Sequence, residues 1–240
     1  MYAFFARWVL ASVEVPKERS ASVERPADLL VFYGRAHPGG ASAESLLQYW
    51  GKLPVDPSAL QLAVGARWPE QPPTPEVRLH QPEKGKIKGA VVISGREDLG
   101  LISELGKNGI VTLTVMPYRE TRNTSSRFFT TYNFTADQIR VQRIVSAAAW
   151  AARAYGEVDL VGNEAGGAVA LVARAVAPHF RKTVVNLEKF DASSDQAYLD
   201  RLFIPGIRRA GGLPKFDTPD VKVHNGEMGV REIVAWLLQR

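Results

Sequence analysis

Cysteine is absent from the 240-residue chain. That one absence excludes disulfides, thiolate metal sites and a cysteine nucleophile. It also fits a reducing compartment, and a cytoplasmic location is the expectation. Long apolar runs are missing too, since no stretch approaches the roughly 20 residues of a membrane span. Met1–Val13 is the only candidate signal peptide, but Arg7 interrupts its apolar run and no clean cleavage site follows. Basic residues are never concentrated. The net charge is +5, yet Lys84-Gly-Lys86-Ile-Lys88 and Arg208-Arg209 are short and read as solvated surface. A nucleic-acid footprint needs a coherent face, so neither nucleic acid nor membrane is an expected partner. There is no internal repeat and no low-complexity tract.

What is present builds a core. Apolar residues make up 45% of the chain and charged residues 23%, ordinary for a globular protein. A chain this long buries roughly 70–75% of its unfolded surface and needs no staples. The apolar and aromatic stretch Met1–Ala11 places Phe4, Trp8 and Ala11 on one helical face, predicting a short amphipathic helix. Ser12–Ala27 reads as a linker, Asp28–Tyr33 as a buried strand and Gly34–Gly40 as a turn. Ser42–Trp50 is a capped helix. Four prolines between Trp68 and Pro75 forbid regular structure there. Glu76–His80 and Gly89–Ile93 have β character, Ser103–Asn108 is a brief helix closed by Gly109, and Ile110–Met116 is a strand. Tyr118–Tyr132 is polar and irregular, and Asp137–Tyr155 is a long helix. Val158–Val161, Lys182–Leu187 and Val221–His224 are strands; Ala168–Val176 and Gly229–Gln239 are helices. Apolar strands without polar alternation, separated by helices, predict a mainly parallel sheet covered on both faces.

The most specific passage is Val158–Ala170, VDLVGNEAGGAVA. Gly162-Asn163-Glu164-Ala165-Gly166 has the spacing G-x-S-x-G of a nucleophile elbow, with glutamate in the serine slot. Such an elbow strains its central residue and brings strand and helix so close that the flanking positions must be very small. Gly162, Ala165, Gly166, Gly167 and Ala168 meet that demand. The turn lacks a P-loop lysine and does not match the dinucleotide glycine pattern, so no cofactor is expected.

Beyond the elbow, the pair Tyr132-Asn133 precedes a helix with Arg140-Val-Gln142. Phe203-Ile-Pro-Gly206 is followed by Gly211-Gly-Leu213, and Val221–Asn225 reads VKVHN. Together with VDLVGNEAGG these segments make the chain resemble the acetyl-xylan-esterase-like branch of the bacterial α/β hydrolases over most of Asp28–Arg240. The resemblance implies an α/β-hydrolase fold with Glu164 after the fifth strand. It also implies an oxyanion hole made by the Ala165 amide and an amide near Gly95 or Arg96. Two parts follow: residues 1–27 as helix and linker, residues 28–240 as the hydrolase-like domain.

Three departures stand against that family. The elbow has no serine, the last strand and the segment with the family's catalytic histidine are missing, and Met1–Leu10 looks like the helix that normally follows that histidine. One account is the second half of a tandem hydrolase. Another is that this helix packs where the domain's own last helix would have been, or joins a homodimer or a partner hydrolase domain.

Glu164 has three readings. It is a nucleophile giving a covalent ester, a general base on water, or a dead site whose carboxylate fills the oxyanion hole itself. His224 ends the last strand, near the carboxyl edge where open α/β sheets bind ligands. With Glu227, at the usual site of a triad acid, it completes a candidate constellation, against a partly buried structural role. Asn163, Asp191 and Tyr118 border the expected pocket, and Asp191 with Ser193 and Ser194 also suits a helix cap. No spacing supports a metal site. The expected ligand is a small ester-like molecule. Two functions remain: an esterase-type hydrolase by descent that works on esters or phosphoesters through a non-serine mechanism, or an inactive α/β module that binds a ligand or partner domain.

Overall fold

The computed structural model describes residues 2–9, 11–12, 14, 24–25, 42–125, 128–226 and 229–239. It divides into two compact units, Met1–Leu53 and Pro54–Arg240. The strand expected at 28–33, the turn at 34–40 and most of the linker fall outside the described residues.

The first unit holds α1 (Tyr2–Trp8) and α2 (Ala43–Lys52). α2 begins where its cap predicts: the Ser42 hydroxyl accepts from the Ser45 amide at 3.1 Å. On α1, Ala6 is buried while Phe4, Phe5 and Trp8 are exposed.

The second unit is built on β1 (Val77–His80), β2 (Gly89–Ser94), β3 (Ile110–Val115), β4 (Val158–Gly162), β5 (Thr183–Asn186) and β6 (Val221–His224). They form a six-stranded sheet in the order β1-β3-β2-β4-β5-β6. Every neighbouring pair is parallel except β1–β3. The helices are α3 (Leu60–Val64), α4 (Leu99–Lys107), α5 (Phe129–Tyr132), α6 (Ala136–Tyr155), α7 (Gly167–Val176), α8 (Asp195–Arg201) and α9 (Val230–Leu238). The unit is therefore an α/β domain with a mostly parallel sheet.

Strand chemistry sets the layers. β2, β3 and β4 are buried at every position. Their alternate side chains enter different cores, as the two-residue period of a strand requires. Ala90, Val92, Leu160 and Val185 join a core with Val141, Ile144 and Leu171 of α6 and α7. Val91, Ile93, Val161 and Val184 join one with Leu101, Leu105, Ile233 and Leu237 of α4 and α9.

Local signals account for the element ends. Thr135 and Gln138 close a reciprocal capping box at the start of α6. The helix expected at Ser103 begins four residues earlier, because the Asp98 carboxylate accepts from the Leu101 amide at 3.0 Å and caps it. The stretch expected to be irregular up to Tyr132 contains the single turn α5.

Order along the sheet positions the site. From β2 the chain steps to β3 on one side, then crosses to β4 on the other. The carboxyl ends of β2 and β4 thus flank a topological switch point, where open α/β sheets bind their ligands. Ser94 and Gly162 are register partners at that point.

Candidate active site

Glu164 lies directly past the carboxyl end of β4. It has φ +45° and opens a short 3-10 turn, Glu164–Gly166, that runs into α7. A glutamate there is strained, and only a tightly determined surrounding holds it. That surrounding is the close approach of two backbones. A β-carbon on Gly166 would overlap the Ser94 carbonyl, one on Gly167 the Asn186 carbonyl, and one on Gly95 the Asn163 carbonyl. One on Gly162 would lie 2.6 Å from the Ala170 methyl.

Hydrogen bonds stitch the elbow to the loop after β2. The Asn163 amide donates to the Ser94 carbonyl at 2.9 Å. The Asn163 side-chain amide donates to the Arg96 carbonyl at 2.9 Å. The Ser94 hydroxyl donates to the Gly166 carbonyl at 3.1 Å, so Ser94 is a structural clamp. Gly95, at φ +116°, makes the turn between them. Among the described residues the amides of Gly95, Arg96 and Ala165 make no hydrogen bond. Open amides at this place are what an oxyanion hole consists of.

The Glu164 carboxylate does not fill them. Its side chain is 49% exposed, and its one ion-pair partner among the described residues is the Arg96 guanidinium at 3.8 Å, itself 77% exposed. Glu164 borders two depressions. One, of about 310 Å³, is mainly apolar and lies against Val115, Met116, Ile144 and Val169. The other, of about 440 Å³, lies against Asp98, Asn163, Asn186 and Ile233.

Other sequence-selected residues sit apart. His224 is the register partner of Asn186 on β6, and its Nε2 is 4.0 Å from Glu232. It lines neither depression beside Glu164. Glu227 lies outside the described residues. The Asp191 carboxylate accepts from the Ser193 amide at 2.9 Å and from its hydroxyl at 2.6 Å, and Ser194 caps α8. Those hydrogen bonds from Ser193 hold the Asp191 carboxyl below its ordinary range. Tyr118 carries the Arg143 guanidinium 5.1 Å above its ring.

One cluster was not legible in sequence. Glu97 accepts from Arg78 at 2.5 Å and meets His80 Nε2 at 2.8 Å, so His80 is partly buried and engaged. The His80 contact first, then Arg78, lowers the Glu97 pKa. These partners come from β1, and only the antiparallel β1–β3 pairing brings them beside the loop after β2. No three His, Asp or Glu residues converge as a metal site would need among the described residues. Nor is any described helix long and apolar enough to cross a membrane.

No family model and no curated protein matches the chain. Among solved structures it is similar to a Bacteroides fragilis protein provisionally described as an acetyl xylan esterase. The two are 12% identical, with a TM-score of 0.48, over 82% of this chain and 79% of that one.

Proposed function

We propose that residues 54–240 form an α/β-hydrolase-type domain, esterase-like by descent. Its elbow has lost serine chemistry, and Glu164 is the group that carries hydrolysis of small esters or phosphoesters. The observation that supports this most is the strained Glu164 at the switch point, lining one depression with Gly95, Arg96 and Ala165, whose amides are unbonded among the described residues. Glu188 and Lys189, past β5, also have positive φ, so what sets Glu164 apart is strain held by close backbone approach at the switch point, and strain of this kind concentrates at functional sites. The exposed carboxylate can take a proton from water as that water attacks, or attack itself, expelling the substrate's alcohol and forming a mixed anhydride or an acyl phosphate that water then hydrolyses. The open amides would receive the charge developing on the substrate oxygen.

A panel of acetyl and phosphate monoesters tests this. Turnover that is lost in both Glu164→Ala and Glu164→Gln supports the reading. Turnover that survives Glu164→Ala places the chemistry elsewhere. A mass adduct on Glu164 separates nucleophile from base.

A second reading, an inactive module that packs on a partner, draws on the exposed Phe4, Phe5 and Trp8 of α1. Activity in the panel would set it aside.

A further inference from the structure

Beside the elbow lies a third depression, of about 600 Å³, on the other side of the Gly95–Arg96 turn. It is lined by Arg78, Arg96, Arg119, Glu97 and Thr114, and it shares Gly95, Arg96, Val115, Met116 and Pro117 with the apolar depression at Glu164. The two are therefore continuous around one turn of backbone. Three guanidiniums face one carboxylate here. Glu97 engages Arg78 alone among them, at 2.5 Å. Arg119 makes no hydrogen bond or ion pair among the described residues and is exposed. Arg96 meets Glu164 at 3.8 Å, so Arg119 is the guanidinium of the three without a carboxylate partner among the described residues.

A second observation comes from the wall. Thr114 is a register partner of Arg78 and is 4% exposed, yet its hydroxyl has no hydrogen-bond partner. Buried hydroxyls are normally satisfied; Thr112 and Thr183 share this lack elsewhere on the sheet, but Thr114 alone of the three lines the depression, where a side-chain rotation would offer its hydroxyl to a ligand.

We infer that this depression binds a phosphate group, and that the site takes small phosphate-bearing molecules whose apolar body lies in the neighbouring cleft at Glu164. With Glu97 and Glu164 set against Arg78, Arg96 and Arg119, one positive charge is in excess, and an anion with three acceptor oxygens suits three guanidinium forks better than a carboxylate with two. A phosphoryl group offers three oxygens and a charge near −2. This inference rests on the reading above for the orientation of the ligand toward Glu164, but the binding itself does not depend on turnover.

Phenylphosphonate, which resists hydrolysis, is the probe, followed by calorimetry on the full chain. Wild type should bind it saturably and less tightly as salt rises. Arg119→Gln should weaken binding about tenfold or more, as loss of a charge-assisted contact does. The same variant should melt with the wild type, because Arg119 supports nothing in the fold. Benzoate, with the same ring and a carboxylate, should bind about tenfold more weakly. Glu164→Gln should bind phenylphosphonate at least as tightly as wild type, which separates this site from hydrolysis. Absence of saturable binding, equal binding in Arg119→Gln, or benzoate binding as tight as phenylphosphonate would each overturn the phosphate site.

Discussion

Two carboxylates sit on one strand and its turn, five residues apart, and they live in opposite circumstances. Asp159, near the start of β4, is only 5% exposed. It accepts from Arg181 at 3.0 and 2.5 Å and from the Lys182 amide at 3.0 Å. Burial raises its pKa, with Arg181 pulling the other way. Glu164, at the far end, is half-exposed, strained, and meets only Arg96 at 3.8 Å. One carboxylate is consumed by the fold and the other is left free at backbone expense. Strain alone does not single out Glu164, because the exposed Glu188 past β5 has φ +47°; the place of Glu164 in the close-packed turn beside open amides is the ground for placing chemistry there.

Breaking the frame that separates them should have the largest effect. In Gly166→Ala the new methyl must displace the Ser94 carbonyl and the Gly95 amide, both backbone. Overpacking without a flexible neighbour should cost about 3 kcal/mol or more in urea unfolding. A variant that unfolds like wild type would show that β2 and the elbow do not approach this closely.

Removing Asp159 should come next. Asp159→Ala leaves Arg181 with only the Leu237 carbonyl at 2.8 Å and the more distant Glu157 at 3.5 Å. The loss should be about 2–3 kcal/mol, below the full penalty of a buried pair because Arg181 is 30% exposed. Glu164→Gly should move the other way and gain about 0.5–1 kcal/mol. Relief of the left-handed conformation outweighs the added chain entropy of glycine. Equal signs for the two substitutions would erase the comparison.

How far the sequence revealed this contrast depended on range. The elbow was legible because its constraint is local: glycines at fixed spacing admit few backbones. The strands were legible because two-sided burial writes itself as unbroken apolar runs. α4 was read four residues short because Gly100 weakens a helical pattern by about 1 kcal/mol, whereas the Asp98 cap restores it. α3 is only five residues long and gave too little periodicity to see. The Asp159–Arg181 and Glu97–His80–Arg78 partnerships join residues about 20 positions apart, and nothing in local pattern announces them. The constellation of His224 with Glu164 was drawn from strand ends alone. His224 stands two strands away from β4, roughly 10 Å across the sheet.

A third carboxylate sharpens the comparison through pH. Hydrogen bonds from Arg122 lower the Glu120 pKa from 4.5 to about 2. Its folded value lies below its unfolded value, so its stabilisation is complete above the ordinary pKa and is lost as pH falls through about 2. Glu120→Gln should therefore flatten the decline of stability between pH 4.5 and 2, read by thermal melting across that window. A decline in Glu120→Gln as steep as in wild type would show that Arg122 does not hold the Glu120 carboxylate in the fold.

The smallest expected effect is the most diagnostic. Glu164→Ser rebuilds the letter pattern of a serine elbow, Gly162-Asn-Ser-Ala-Gly166, in a frame whose glycines and open amides are already in place. It should still give no measurable acetyl-ester hydrolysis. A serine hydroxyl needs a base within roughly 2.6–3.2 Å, and that proton transfer contributes on the order of 10²–10⁴ in rate. No described histidine is available for it. His80 is engaged with Glu97 at 2.8 Å, and His179 stacks on Trp68 with centroids 4.2 Å apart. His224 lies on β6 beside Glu232, across β5 from the elbow. A steady-state assay with 4-nitrophenyl acetate, referenced to the Glu164→Ala protein, measures the difference. Turnover in Glu164→Ser well above that reference would mean that a histidine reaches the elbow after all, and would return the domain to serine chemistry.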